Sequence, residues 1–145
     1  MENKMFCYQC EQTAGCTGCT GNAGVCGKSA NTARLQDELT GALIGLARAV
    51  EGNEHLVNEE MNQLVLEGLF TTVTNVNFND ETLKILIYKI ENAKKKLVPN
   101  CFTCSGSCGR NDNFDMNTLW TTDEDVRSLK SLILFGIRGM AAYAY

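Results

Sequence analysis

The chain begins with four cysteines spread through a glycine-rich stretch that carries few charges. Cys7, Cys10, Cys19 and Cys26 follow the pattern Cys-x2-Cys-x8-Cys-x6-Cys. A cubic iron–sulfur cluster needs four thiolates that reach one small inorganic core from different directions. A close Cys-x2-Cys pair followed by two cysteines on a flexible loop can supply them. The pattern therefore predicts that residues 1–28 form a loop around a redox cofactor.

Cysteines in such a loop also have other uses, and these stay open at this point. No apolar stretch follows residues 1–4, so we predict no signal peptide and expect the protein in a reducing cytoplasm. Disulfides are rare there, which favours metal or redox ligands. A loop stapled by disulfides and a structural zinc site remain the alternatives.

Composition limits the classes of partner. The 145 residues carry a formal net charge of -4, and no basic stripe is present that would displace counterions from a nucleic acid. The one basic run, at residues 94–96, is expected to be a solvated helix end that complements the helix dipole. No apolar run is long enough to cross a bilayer, so we expect neither nucleic acid nor membrane as a partner.

Beyond the loop, apolar residues recur every three or four positions, which predicts an all-α fold: a helical bundle of about four helices beside the cysteine-rich cluster-binding loop. We expect one domain, 1–145, with the iron–sulfur loop at 1–28 and the bundle at 29–145. The first predicted helix runs from 31 to 51 and stops at Gly52, and the second runs from a cap at Asn58 to about 71. The third begins at Asn79 or Asp80 and ends at Pro99. After a loop at 100–121, a capping box at Thr122 and Asp125 begins the fourth.

The last predicted helix is apolar on nearly every side, and no capping residue follows it before Tyr145. We expect it to be buried by the remainder of a longer chain, of which this sequence is a fragment, or by a homo-oligomer. A complete protein whose last helix packs centrally is the alternative. The expected buried residues are Val126, Leu129, Leu132, Ile133, Ile137, Met140 and Ala141.

Two weaker candidates lie outside the first cysteine group. Cys101, Cys104 and Cys108 follow the pattern Cys-x2-Cys-x3-Cys in the predicted loop. They could hold zinc with Asp112 as fourth ligand, form a reversible disulfide, or have no role. The single histidine, His55, is expected at a polar helix boundary without a function.

Several segments of the sequence resemble the hybrid cluster proteins, also called prismane proteins or hydroxylamine reductases. The matching segments are residues 5–14 (MFCYQCEQTA), 18–20 (GCT), 24–28 (GVCGK) and 136–143 (GIRGMAAY), with weaker agreement at 113–116 and 119–120. The resemblance covers the whole chain but only the amino-terminal part of a full-length member. Carbon monoxide dehydrogenase is a relative that shares this fold.

The resemblance implies a 4Fe-4S cluster, because the gap between Cys10 and Cys19 is short, as in the family members that carry the cubane form. Cys7, Cys10, Cys19 and Cys26 are then its ligands. Cys16 is an extra thiol within that gap and could replace Cys19, although Cys19 matches the motif better.

The resemblance also implies an electron-transfer module that works with a redox electron donor. The hybrid iron–sulfur–oxygen centre that reduces hydroxylamine or a related nitrogen oxide is held, in the family, by residues further downstream. This chain alone is therefore expected to be inactive as an enzyme, with no catalytic residues of its own. The alternatives are a self-standing iron–sulfur electron carrier or redox sensor, and a zinc-binding interaction domain.

The loop residues suggest how such a cluster would be stabilised. Glycines at 15, 18, 21, 24 and 27 allow positive φ and backbone N–H groups aimed at sulfur. Because Lys28 is the only basic residue between Met5 and Ala33, we expect backbone hydrogen bonds rather than a nearby formal charge to set the potential. Phe6 and Tyr8 either shield one face of the cluster or simply pack.

Overall fold

The computed structural model describes residues 5–10, 17–73, 76–97 and 113–145. This part of the chain contains five α-helices and no β-sheet, which confirms the all-α prediction. The helices are α1 (Ala30–Val50), α2 (Glu59–Thr71), α3 (Asp80–Leu97), α4 (Met116–Trp120) and α5 (Glu124–Ala144), with a short 3-10 turn at Glu54–Leu56.

Side-chain caps fix where the first three helices begin. Ser29 accepts a hydrogen bond from the Thr32 N–H at 3.0 Å, and Asn58 accepts from the Met61 N–H at 2.9 Å. The Asn79 side chain caps α3 by accepting from the Glu81 and Thr82 N–H groups. Gly52 follows α1 with a φ of +82°, a conformation that a side chain would disfavour. The predicted bounds of these helices are confirmed within one or two residues, apart from Pro99, which lies outside the described residues.

The core lies between the first three helices. α1 packs along α3, and α2 closes the third side. Lys94 is a correction to the predicted solvated run: it is buried in α3, where it donates to Glu91 and Asn113. Beside an apolar cluster, the core also buries polar side chains of α1, among them Thr32, Gln36 and Thr40. The buried residues of the apolar cluster are Leu35, Leu39, Ala42, Leu43, Leu46, Ala49, Met61, Leu64, Leu83, Leu86, Ile90, Ala93 and Leu97.

A short helix, α4, corrects the predicted loop at 100–121. The Asp115 carboxylate caps it by accepting from the Asn117 N–H at 2.9 Å. The preceding residue docks on α1, because the Phe114 N–H donates to the Gly41 carbonyl and no Cβ would fit at Gly41 against Phe114. As a result Met116, Leu119 and Trp120 are buried beside the cysteine loop.

α5 differs from its prediction in its cap. The cap is Asp123, which accepts from the Asp125 and Val126 N–H groups, and not Thr122. Within this chain the helix buries Ser131, Arg138 and Ala141. The other residues of the predicted apolar stripe are exposed in this chain, so their burial by further chain or by a second copy stays a prediction. They are Val126, Leu129, Leu132, Ile133, Ile137 and Met140. Of the described helices, none is both long and apolar enough to cross a membrane.

Candidate functional site

Two of the predicted ligands lie side by side through backbone pairing. The Cys7 N–H donates to the Cys19 carbonyl at 3.0 Å, and the Cys19 N–H donates to the Cys7 carbonyl at 2.8 Å. Gly18, with φ of +81°, makes this approach possible, since an added Cβ would lie 3.1 Å from the Cys7 oxygen and from the Tyr8 ring. The bridge therefore holds two distant parts of the loop together.

A tight turn presents the fourth predicted ligand. The Gly24 N–H donates to the Lys28 carbonyl and the Gly27 N–H donates to the Gly24 carbonyl, both at 2.8 Å. Cys26 lies exposed on this turn, whereas Cys7 is buried and Cys10 and Cys19 are half-buried. Among the described glycines of the loop, only Gly18 and Gly27 have positive φ, so the conformational prediction holds for these two positions.

Lys28 is buried against the first cysteine. Only 2% of the residue is exposed, its ammonium lies 4.0 Å from Cys7 Sγ, and it donates to Gln9 Oε1 at 2.8 Å. Within the described part of the chain, no carboxylate forms a salt bridge with it. The prediction that backbone hydrogen bonds rather than a nearby formal charge set the potential did not anticipate this ammonium, which the loop folds inward beside Cys7.

Gln9 connects Lys28 to a carboxylate on α1. Its Nε2 donates to Asp37 Oδ1 at 2.9 Å. Burial raises the pKa of Asp37, and the side chains of Gln9 and Trp120 and the charges of Arg138 and Lys28 lower it. The Trp120 indole acts by proximity, since its nitrogen makes no full hydrogen bond within the described residues.

The thiol of Cys7 responds to the same surroundings. Burial raises its pKa, while the Gln9 backbone N–H and the Lys28 charge lower it. A backbone donor and an ammonium thus both favour a thiolate at this position. A second buried cation, Arg138, donates to the hydroxyls of Thr72 and Thr40, both at 3.0 Å, and fastens α5 to α2 and α1.

Aromatic side chains join the loop to α4. The Trp120 ring lies 6.5 Å from the Phe6 ring and 5.7 Å from the Tyr8 ring, measured between centroids. The Arg127 guanidinium lies 5.0 Å from the Tyr8 centroid. Phe6 and Tyr8 therefore pack on α4, whose burial beside the loop depends on them.

The four cysteines have the side chains that a thiolate-bound metal cluster needs, but the described residues do not bring them together around one point. Cys7, Cys10, Cys19 and Cys26 are all free thiols, which are the ligands iron–sulfur clusters take. The buried ammonium of Lys28, which forms no salt bridge among the described residues, would supply positive charge beside an anionic cluster. Across residues 5–10, 17–73, 76–97 and 113–145, however, no three Cys, His, Asp or Glu side chains converge as metal ligands.

Other predicted residues are not part of this arrangement. His55 lies exposed in the 3-10 turn between α1 and α2, at the polar helix boundary predicted for it. Cys16, Cys101, Cys104, Cys108 and Asp112 lie outside the described residues.

Sequence reasoning missed Gln9, Asp37 and Arg138. For Arg138 a signal was present on α1, where polar residues repeat every four positions at 32, 36 and 40, and Thr40 of this stripe accepts from the Arg138 guanidinium. Such a stripe predicts a polar contact beside the apolar one. Arg138 was equally visible as one charge within an apolar segment of α5.

Comparison with known proteins agrees with the resemblance. Residues 5–145 match the prismane/CO dehydrogenase family. Proteins named hydroxylamine reductase are 40% identical in Desulfovibrio desulfuricans, 39% in Methanocella arvoryzae and 42% in Bacteroides thetaiotaomicron. The matches cover 99%, 97% and 96% of this chain but 29%, 30% and 28% of those proteins. The chain thus spans less than a third of their length, and it belongs to the prismane/CO dehydrogenase family.

Proposed function

We propose that this chain is the 4Fe-4S electron-transfer module of a hydroxylamine reductase. Cys7, Cys10, Cys19 and Cys26 are the proposed ligands. When bound, the cluster supplies a one-electron carrier. The family and the relatives named hydroxylamine reductase support the reaction class, and the four free thiols of the loop support the cofactor.

The buried ammonium of Lys28 is the observation that carries the proposal. A charge taken out of water costs several kcal/mol unless an opposite charge accompanies it. Among the described residues, the Lys28 ammonium contacts the neutral Gln9 amide, the Cys7 thiol and the face of the Phe78 ring, and the Asp37 carboxylate lies beyond Gln9. Deprotonated cysteines would provide the missing negative charge, so the loop has the electrostatics of a site for an anionic group.

The loop residues have distinct parts in this proposal. Buried Cys7 would anchor the cluster on the protein side, and exposed Cys26 would lie toward an approaching redox donor. Lys28 would offset the thiolate charge, and Gln9 would hold the ammonium in place through its 2.8 Å bond. The packing of Phe6 and Tyr8 on Trp120 would keep the Cys7 segment in position.

The reduction of hydroxylamine or a related nitrogen oxide is assigned to a centre outside these 145 residues. The remainder of a longer chain, or a second copy, would cover the exposed apolar side of α5. We place the protein in the cytoplasm because thiolate ligands require a reducing compartment.

Metal analysis of chain purified and reconstituted without oxygen tests the proposal. We expect iron and acid-labile sulfide in equal amounts, about four of each per chain, with an absorbance band in the visible range. Changing any one proposed ligand to serine, as in Cys7→Ser or Cys26→Ser, should lower the iron content and bleach the band.

Cys16→Ser is the matched control, because it removes a thiol from the same segment that the proposal leaves unbound. It should keep the iron and sulfide content of the unchanged protein. Zinc without sulfide would favour an interaction domain and contradict the proposal. Hydroxylamine reduction by this chain alone would contradict the assignment of the reactive centre to another part of the protein.

A further inference from the structure

A hydrogen-bonded chain leads from the cysteine loop to helix α1. The Lys28 ammonium lies 4.0 Å from Cys7 Sγ and donates to Gln9 at 2.8 Å, and Gln9 donates to Asp37 at 2.9 Å. Because Cys7, Lys28 and Gln9 are buried, charges along this series of hydrogen bonds interact in surroundings of low dielectric constant. A change of charge at Cys7 therefore acts strongly on Asp37.

Asp37 connects this series of hydrogen bonds to solvent. Its side chain lines a cavity of about 630 Å³ between α1 and residues 113–117. Asn31, Arg34 and Asn113, which are exposed, line the same cavity, so its rim is at the surface. A proton can therefore move between water and the Asp37 carboxylate without crossing the apolar core.

Charged and titratable groups face Asp37 from the loop, from α1, from α5 and from the far wall of the cavity. On α1 itself Arg34 pairs with Glu38, which leaves Asp37 as the carboxylate joined to the loop. Burial, which disfavours the charged form, makes Asp37 readier to bind a proton than an exposed aspartate. The surrounding groups are Cys7, Lys28, Arg34, Glu38, Asp115 and Arg138.

We infer that Asp37 binds a proton when the cysteine site takes up an electron, so that reduction and protonation are coupled. The inference rests on the proposed function and names a regulation of the same site. One electron arrives from an external one-electron donor and reduces the site, and one proton from water in the cavity binds Asp37. The net charge of the region is unchanged, and reoxidation releases both.

The physical reason is the cost of adding charge inside a protein. An uncompensated electron beside the buried Cys7 would repel the Asp37 carboxylate, which the Gln9 amide joins to the loop. Protonation of Asp37 removes this repulsion and keeps its bond to Gln9, since a carboxylic acid still accepts through one oxygen.

Redox titration of the reconstituted chain with dithionite at several pH values tests the inference. The midpoint potential should fall as pH rises, by up to about 59 mV per pH unit, the value for one proton per electron. In Asp37→Asn the potential should be higher and independent of pH. A flat profile in the unchanged protein, or an unchanged slope in Asp37→Asn, would overturn the inference.

Glu38→Gln is the matched control, because Glu38 is the next residue on α1, carries the same charge and pairs with Arg34 at the surface. It should keep the slope. If Asp37→Asn does not fold, Gln9→Met provides the test. It removes the hydrogen bonds between Lys28 and Asp37 but keeps the Asp37 carboxylate, and it should reduce the dependence of the midpoint potential on pH.

Failure of the inference is distinguishable from failure of the proposed function. A chain that binds no iron and sulfide contradicts the proposed function itself. A chain that binds both, yet titrates with a potential independent of pH, contradicts only the coupling to Asp37.

Discussion

The helical core and the cysteine loop differ in what they bury. Between α1 and α3, most of the best-buried side chains are apolar, such as Leu39, Leu83 and Ile90. The loop instead buries an ammonium, an amide and a thiol, at Lys28, Gln9 and Cys7. The core is stabilised by contacts that the chain supplies itself. The loop lacks one partner, because its buried positive charge has no carboxylate to pair with in the described residues.

The largest effect on stability is expected in the core. Leu39 is fully buried, so Leu39→Ala removes contacts and leaves a cavity, which should cost about 2–5 kcal/mol of unfolding free energy. Urea unfolding followed by circular dichroism measures it. Leu129→Ala on α5 is the control, because Leu129 is 63% exposed and should change stability by no more than about 0.5 kcal/mol. Equal effects of the two substitutions would contradict the placement of the core.

Lys28→Met should change the stability of the metal-free chain and the midpoint potential of the reconstituted chain. In the metal-free chain it removes an unpaired buried charge and should raise stability by roughly 1–3 kcal/mol. In the reconstituted chain it removes positive charge beside the cluster and should lower the midpoint potential.

Lys84→Met is the control for this comparison, since Lys84 pairs with Glu81 at the surface. It should alter neither quantity measurably. If Lys28→Met destabilises the metal-free chain, Lys28 is a packing residue and the loop is complete without a partner.

The carboxylates Asp37 and Asp80 should give opposite pH dependence in the metal-free chain. Burial raises the pKa of Asp37, so its contribution to stability is present below its unfolded value and is lost as pH rises through the folded value. Bonds from Thr32 and Asn31 lower the pKa of Asp80, so its contribution is present at higher pH and is lost as pH falls.

Unfolding free energies across the acid range measure both contributions. Asp37→Asn should raise stability near neutral pH, and Asp80→Asn should lower it. The same sign for both variants would contradict the difference in burial between the two carboxylates.

Ser29 lies at the junction of the two regions, and its effect should be local. Ser29→Ala removes the cap of α1 and should cost about 1 kcal/mol, in metal-free and reconstituted protein alike. Ser29→Asn keeps an acceptor at the cap and should restore most of the loss. A cost that appears only with metal bound would place Ser29 in the loop and not in the core.

The exposed face of α5 should contribute least to the stability of the single chain. Leu132 is 68% exposed, so Leu132→Glu should change unfolding free energy by less than about 0.5 kcal/mol. It should also weaken self-association, measured by sedimentation, because large apolar patches promote contact between molecules. A large loss of stability would show that Leu132 is packed.

The sequence was sufficient for the long helices because their signals are local. Leucine spacing on α1 and capping side chains at Asn58 and Asn79 need no knowledge of the rest of the chain. α4 has only five residues, too few for a period to be visible. On α5, periodicity shows that the helix has an apolar side but not what covers it, so the burial of that side stays a prediction.

The sequence could nominate the thiols of the candidate site, whose role as ligands stays a prediction, but it could not predict the electrostatics around them. Cysteine spacing selects the thiols without reference to the fold. Whether Lys28 points outward or inward depends on the backbone turn at Gly24 and on Gln9. Such burial of a charge is a tertiary property, and the identity of the residue favours the opposite outcome.

Electron paramagnetic resonance of the reconstituted, dithionite-reduced chain tests the central claim most directly. A 4Fe-4S cluster on Cys7, Cys10, Cys19 and Cys26 predicts a signal from a reduced cluster that is lost in Cys7→Ser and kept in Cys16→Ser. A chain that stays colourless and magnetically silent after reconstitution with iron and sulfide would contradict it.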